Sequence, residues 1–158
     1  MKKLLYWTLA LALLLGLAAC GGGKNNAPPL YSSGDVKKID ESGAFTAELY
    51  DLEEVDADTA FLLYRLHGLE REDLKECTVL RSAGATCEEA AVLVFTSADG
   101  AKTAVDALGG YIAEQISENE DYRPAEVPKL ENAWISRRGE TVLLVVANDL
   151  DAAKAAVE

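Results

Sequence analysis

The side chains best suited to covalent chemistry are the three cysteines, Cys20, Cys77 and Cys87. Nine residues separate Cys77 from Cys87, in the pattern of two strand ends joined by a turn that contains Gly84. A disulfide between them is geometrically plausible and would contribute on the order of 3 kcal/mol in the chain-entropy model. The alternative is a pair of reduced, buried thiols. Redox and zinc chemistry are disfavoured because the two cysteines lack the Cys-x-x-Cys spacing of such sites.

Cys20 follows an N-terminal segment with a distinctive composition. Lys2 and Lys3 precede an uncharged run, mostly leucine and alanine, at residues 4–19. A positive start followed by an apolar run is typical of a secretory signal. As a helix, the run would reach roughly 24 Å, short of the ~30 Å hydrocarbon core that a permanent span must cross. A cleaved signal therefore fits better than a transmembrane anchor.

The end of this run, Leu17-Ala18-Ala19-Cys20, resembles the bacterial lipobox, in which a branched apolar residue and two small residues precede the acylated cysteine. The resemblance implies a lipoprotein signal peptide over residues 1–19 and attachment of lipid, with acyl chains such as palmitate, at Cys20. Two or three chains anchor a protein stably, whereas one binds reversibly. The expected location is the extracytoplasmic face of the cell membrane. The alternative is an ordinary signal with an incidental cysteine.

Composition divides the remaining chain into a tether and one domain. Three glycines at 21–23 and the polar or proline-containing residues 24–29 have little apolar surface to offset the entropy of ordering them. We predict that residues 20–43 form the lipidated cysteine and a flexible tether, which holds the domain about 25 Å from the bilayer. Residues 44–158 are predicted to form a single globular domain.

The chain is strongly acidic, with a formal charge of −12 that becomes −14 when the predicted signal and its two lysines are removed. This charge repels nucleic acid phosphates and anionic lipid headgroups, so we expect no nucleic acid partner. A polyanionic cell wall would also repel the domain at long range. The expected partners are the membrane, through the lipid on Cys20, and an envelope protein or cell-wall component. The oligomeric state is left open.

The common catalytic and cofactor motifs are missing from the chain. His67 is the only histidine, which excludes two-histidine zinc motifs, and we expect it at a helix end. No phosphate-binding glycine loop and no Gly-x-Ser-x-Gly motif occurs in the sequence. We therefore predict no catalytic residue, no cofactor and no metal ligand.

Three acidic clusters, at residues 51–58, 70–76 and 118–121, are the remaining chemical candidates. Neighbouring carboxylates could bind calcium, which takes about six to eight oxygen ligands. None of the clusters has the spacing of an EF-hand loop, so a solvated acidic surface is favoured. Two carboxylates could also act as glycosidase acids, which requires that they face each other across a cleft.

Aromatic side chains could form a platform for sugar or peptide, although most of them lie at apolar positions typical of a core. Trp134 differs because its alternate neighbours, Asn132 and Ser136, are polar. We predict that Trp134 points to the wetter side of its strand, where it is a candidate binding surface.

Hydrophobic periodicity predicts the order helix, hairpin, helix, hairpin, helix. The first helix is capped by Asp56 or Asp58 and ends with Gly68 at C′, the second runs from Ser97 or Asp99 to 122, and the last is capped by Asp149 or Asp151. The first hairpin comprises residues 77–81 and 90–96, and the second comprises residues 133–137 and 141–147. Residues 35–42 are weakly helical, residues 44–54 are ambiguous, and Pro128 is assigned to a loop. Gly109 and Gly110, inside the long helix, indicate a kink or close packing.

This order predicts an α+β fold with a four-stranded, mainly antiparallel sheet packed with helices. Residues 142–146 are apolar on both faces, so their strand should lie centrally and be covered on both sides.

Five motifs stand in order along the chain: LY and GL within residues 63–69, EEAAVLVF at 88–95, YRPAE at 122–126, LENA at 130–133, and the hairpin at Gly139. Together they resemble a family of small lipoproteins from Gram-positive bacteria known only as a domain of unknown function. The resemblance covers residues 45–157 and implies a lipoprotein with a compact domain. It implies no catalytic residue, and Cys77 and Cys87 lie outside its pattern.

These observations favour a membrane-anchored extracytoplasmic lipoprotein that serves as a non-enzymatic binding module. One alternative is an envelope enzyme that uses acidic residues, which a deep cleft with two facing carboxylates would favour. A shallow apolar patch would favour the module. Another alternative is a solute-binding accessory protein, which is weakened because one domain lacks the two lobes that close around a ligand.

Overall fold

The computed structural model describes residues 27–46, 52–83 and 86–158. Within these ranges, the chain forms an α+β domain with helices on both faces of one antiparallel sheet. The helices are α1 (Ser33–Glu41), α2 (Ala57–Leu63), α3 (Ala98–Tyr122), α4 (Val127–Glu131) and α5 (Leu150–Val157). The strands are β1 (Leu52–Glu54), β2 (Leu74–Ser82), β3 (Glu89–Phe95), β4 (Trp134–Arg138) and β5 (Thr141–Val146).

The sheet has the strand order β1-β2-β3-β5-β4, and every neighbouring pair is antiparallel. The predicted fold class and both predicted hairpins, β2–β3 and β4–β5, are confirmed. Gly139, with a φ of 58°, is the first of the two residues that connect β4 to β5, the position where a tight hairpin turn favours glycine. The three-residue strand β1 adds a fifth, edge strand that is too short to show a period in the sequence.

Helices cover the two faces of the sheet unequally. We call the side covered by α2, α3 and α4 the α3 face, and the side covered by α1 and α5 the α1 face. Alternate residues of β3 point to opposite sides, with Ala91 and Leu93 on the α3 face and Ala90 and Val92 on the α1 face. All six residues of β5 are buried, which confirms its predicted central place.

The N-terminal boundary predicted for the domain is wrong. Residues up to 43 were expected in the tether, whereas α1 packs on the sheet and buries Val36 and Ile39 completely. Tyr31, also buried, donates its N–H to Thr141 Oγ1 at 3.0 Å. The weak helical pattern at residues 35–42 is confirmed. Such a short helix has little stability of its own, so its place depends on docking against β3 and α5 rather than on local sequence.

Helix α2 ends earlier than the sequence pattern predicts. Gly68 was expected at the C′ position, whereas α2 ends at Leu63 and Arg65 occupies C′ with a φ of 44°. The two backbone bonds of a Schellman motif close the helix at this point. Burial of Tyr64 and Leu66 on either side of Arg65 determines where the chain turns, and it outweighs the conformational preference for glycine.

The later helices begin where local signals are strong. Ser97 caps α3 by accepting a bond from Gly100 N at 3.0 Å, and Asp149 caps α5 by accepting one from Ala152 N at 2.9 Å. Pro128, predicted in a loop, instead lies in the first turn of α4. Proline is tolerated there because the first N–H groups of a helix have no intrahelical acceptor. The residues described contain no helix long and apolar enough to cross a membrane.

Candidate functional site

An open groove of about 320 Å³ lies between α3 and the turn that follows α2. We call it the α2–α3 groove. Its apolar lining comes from Ala107, Gly110 and Tyr111. Its polar lining consists of Arg65, His67, Thr103, Asp106 and Glu114. The volume is at the small end of the range for ligand pockets, about 300 to 1,000 Å³.

Gly110 keeps this groove open. A Cβ built on Gly110 would meet no heavy atom within 4 Å, so packing does not require glycine there. Glycine inside a helix costs about 1 kcal/mol relative to alanine, and a side chain at this position would project into the groove. The predicted close packing at Gly109 and Gly110 is wrong, because both glycines are exposed, and α3 continues through them without interruption. Nothing in the structure explains Gly109.

Arg65 forms the opposite wall of the groove at some conformational cost. The left-handed backbone conformation of a residue with a Cβ costs roughly 1 to 2 kcal/mol. The guanidinium of Arg65 forms an ion pair with Glu114 of α3, and both side chains are about half exposed. The pair therefore joins the turn to the helix across the groove. A strained residue that lines a cavity is a feature typical of functional sites.

The carboxylates of the groove are not arranged for acid catalysis on a glycoside. Asp106 and Glu114 project from one helix and lie eight residues apart, roughly 12 Å along the helix axis. Glycosidase carboxyl groups face each other at about 5 to 9.5 Å. The two carboxylates instead lie along one side of the open groove.

A second polar cluster lies at the start of β3, where Glu88 is buried. Lys129 Nζ lies 3.3 Å from Glu88 Oε1 and 3.1 Å from Glu126 Oε1. Thr46 Oγ1 donates to Glu88 Oε2 at 2.9 Å, and Cys87 N donates to Glu126 Oε2 at 2.9 Å. This network joins α4 to the start of β3, the middle strand of the sheet, through a buried charge pair.

Glu89, the next residue, is buried on the α3 face between two tyrosines. Tyr64 donates its hydroxyl to Glu89 Oε2 at 3.1 Å, while Oε1 has no hydrogen-bond partner among the described residues. Burial raises the pKa of the Glu89 carboxyl, although the charge of Arg81 acts in the opposite direction. Burial, followed by the charge of Glu89, likewise raises the pKa of Tyr64 and of Tyr111. Glu89 therefore keeps its proton to a higher pH than an exposed glutamate does.

Replacing Glu89 with glutamine is expected to change how stability depends on pH. In the unfolded chain a glutamate ionises near about pH 4.3, whereas the folded protein retains this proton to higher pH. The stabilising contribution of Glu89 is therefore complete below the unfolded pKa and is lost as the pH rises through the folded pKa. The free energy of unfolding of E89Q minus that of the wild type should rise between pH 4 and pH 8, as measured by urea titration.

The exposed substitution Glu120→Gln is the control for that measurement, and its difference from the wild type should not vary with pH in the same way. A difference for E89Q that stays constant or falls would contradict a raised pKa at Glu89.

The predicted disulfide between Cys77 and Cys87 is wrong, because both thiols are free. Cys77 pairs with Leu93 of β3, and Cys87 lies six residues before Leu93. That separation is roughly 20 Å along a strand, whereas disulfide Cα atoms lie about 4.4 to 6.8 Å apart. Both thiols are partly buried, and burial raises the pKa of each. They correspond to the reduced thiols of the alternative interpretation and are not activated nucleophiles.

Trp134 and His67, the other predicted surface residues, lie on different sides of the molecule. Trp134 is half-buried on the α1 face, and Lys154 Nζ lies 5.8 Å from the centre of its ring. Its role as a binding surface stays a prediction. His67 is exposed and lines the α2–α3 groove, but it lies four residues beyond the last residue of α2 rather than at the expected helix end.

Acidic residues of the predicted clusters mostly serve local structure. Asp56 caps α2 by accepting a bond from Thr59 N at 2.7 Å, and Asp58 Oδ1 lies 2.5 Å from Arg71 Nε. In the ranges that the structure describes, no group of three or more His, Cys, Asp or Glu side chains could hold a metal ion. Asp51 and Cys20 lie outside those ranges.

Two features of these sites were missed from sequence. The groove depends on Arg65 and Gly110, which come from separate elements and carry no common motif. A signal was present for the buried acids, since Glu88-Glu89 directly precedes a wholly apolar strand.

A family model described as "Domain of unknown function (DUF4358)" matches residues 46–147. No curated protein and no solved structure matches the chain. The match confirms the part of the expected resemblance that concerns a domain of unknown function. It spans β1 to β5, and with them the groove and both buried glutamates. Because it covers well over half of the chain, this protein belongs to the DUF4358 family.

Proposed function

We propose that this protein is a lipid-anchored extracytoplasmic lipoprotein whose domain is a non-enzymatic binding module. The support for the anchor is the sequence Leu17-Ala18-Ala19-Cys20 at the end of an apolar run, which resembles a lipobox. The support for a binding role is the α2–α3 groove, which is open, has an apolar lining and carries charged side chains at its rim.

The observation that carries the binding role is the gap at Gly110 beside the strained Arg65. A side chain at Gly110 would stabilise the helix, and its Cβ would meet no heavy atom within 4 Å. A glycine at position 65 would remove the backbone strain that Arg65 carries. Both residues instead preserve a solvent-open groove. The thiols are not activated and the groove carboxylates share one helix, so binding is better supported than catalysis.

Site-specific photo-crosslinking in intact cells tests the binding role. A photoreactive phenylalanine derivative in place of Thr103, at the groove, is expected to yield a discrete higher-mass adduct of the full-length protein. The same derivative in place of Lys37, an exposed residue on α1 at the other face of the sheet, is the control and should yield none. Equal adducts from the two positions, or none from Thr103, would refute the groove as the binding surface.

A further inference from the structure

Building on the proposed function of the α2–α3 groove, we propose that its occupant is a lysine side chain presented by a partner protein. Asp106 is exposed at the groove and has no ion-pair partner among the described residues. Arg65 and Glu114 neutralise each other. The uncompensated charge at the groove is therefore the negative charge of Asp106, which would attract a cationic ligand.

The shape of the groove selects the form of that cation. Ala107 and Gly110 provide an apolar strip next to Asp106, one helical turn or less away from it. A lysine side chain has an apolar stem of four carbons that packs on such a surface and ends in a compact charge. Arginine can bind both oxygens of a carboxylate, but its apolar stem has only three carbons, so lysine places more apolar surface on this strip.

The size and exposure of the groove favour a side chain on a protein over a free small molecule. Its volume of about 320 Å³ is small, and it is open to solvent, so it would enclose only part of a larger ligand. A side chain enters such a groove while its backbone stays outside. The net charge of −12 also attracts a basic partner at long range and at low ionic strength.

Three capped peptides provide the probes: acetyl-Gly-Lys-Gly-amide, the same peptide with Nε-acetyllysine, and acetyl-Gly-Glu-Gly-amide. Each is titrated into the full-length protein in detergent micelles at low salt, and backbone amide shifts of α3 are followed by NMR. We expect the lysine peptide to move resonances around Asp106 and Gly110 and to bind about threefold or more tighter than its acetylated form, as for a partly exposed ion pair.

Gly110→Leu fills the groove, and Gly109→Leu is its matched control because a Cβ at either position meets nothing within 4 Å. Both variants should fold, since leucine favours a helix over glycine. Binding of the lysine peptide should be lost in G110L and retained in G109L. In Asp106→Asn, the lysine peptide should lose its advantage over the acetylated peptide.

The outcomes separate the ligand class from the binding role. Equal or tighter binding of the acetylated or glutamate peptide at the groove would overturn the lysine proposal and leave the groove as a binding surface. If no peptide moves groove resonances and the Thr103 crosslinker yields no adduct, both proposals fail. Equal loss of binding in G109L and G110L would also overturn the lysine proposal, because Gly109 does not line the groove.

Discussion

Replacing Cys20 with alanine is expected to move the protein, in chains from which the leader has been removed, from the detergent phase to the aqueous phase in a Triton X-114 partition of whole cells. Each buried methylene of an acyl chain contributes about 0.8 kcal/mol, so two or more chains hold a protein on a membrane almost permanently. An acidic domain has no compensating attraction for anionic lipid. Under the proposed anchor, the loss of partition into the detergent phase should be nearly complete.

Cys77→Ala is the matched control, because it removes another thiol and should leave the partition unchanged. Mass spectrometry of the wild-type protein should find Cys20 as the first residue, with the added mass of a diacylglyceryl group. Full retention in the detergent phase of C20A chains that have lost the leader would refute the proposed anchor. A wild-type chain that keeps its leader, or one that begins with an unmodified thiol, would also refute it.

Replacing Lys129 with methionine is expected to lower the free energy of unfolding at pH 7 by about 3 kcal/mol or more. Glu88 has no exposed side-chain surface, and Lys129 Nζ lies 3.3 Å from its Oε1. Removing one partner of a buried ion pair leaves an uncompensated charge, which costs roughly 3 to 5 kcal/mol. Methionine keeps most of the apolar stem of lysine, so the loss reports the charge more than the packing. Urea unfolding at pH 7 measures it.

The double variant Lys129→Met with Glu88→Gln should recover much of this loss, since the buried anion is then absent as well. A double-mutant cycle over the two positions isolates their coupling. Lys102→Met on α3 is the control, because Lys102 is exposed and its replacement should cost less than about 0.5 kcal/mol. If K129M costs no more than K102M, or if E88Q restores nothing in the K129M background, the pair does not hold α4 on the sheet.

Most of the confirmed predictions of the fold came from strong local signals. The apolar run at residues 142–146 identified the central strand, because a strand covered on both faces needs apolar residues at every position. Ser97 and Asp149 identified the starts of α3 and α5, since their side chains accept bonds from N–H groups only a few residues away. Gly139 identified a hairpin turn for a similar local reason.

The errors came from segments whose structure depends on distant residues. α1 was assigned to a tether because nine residues with few apolar side chains form a weak helix, yet β3 and α5 bury Val36 and Ile39. Gly68 was assigned to a helix end because glycine favours positive φ. The burial of Tyr64 instead places the C′ residue of α2 three residues earlier, at Arg65.

By itself, the sequence determined the fold class, the order of the main elements, the central strand and the acidic charge of this protein, because these follow from composition and from contacts within a few residues. Only the tertiary structure decided which side chains meet. The register of β2 on β3 separates Cys77 from Cys87, and the docking of α4 buries Glu88 against Lys129. The packing of α2 on the sheet brings Arg65 opposite α3, where Gly110 leaves a gap. Each of these depends on how surfaces far apart in the chain fit together, which no local pattern of residues specifies.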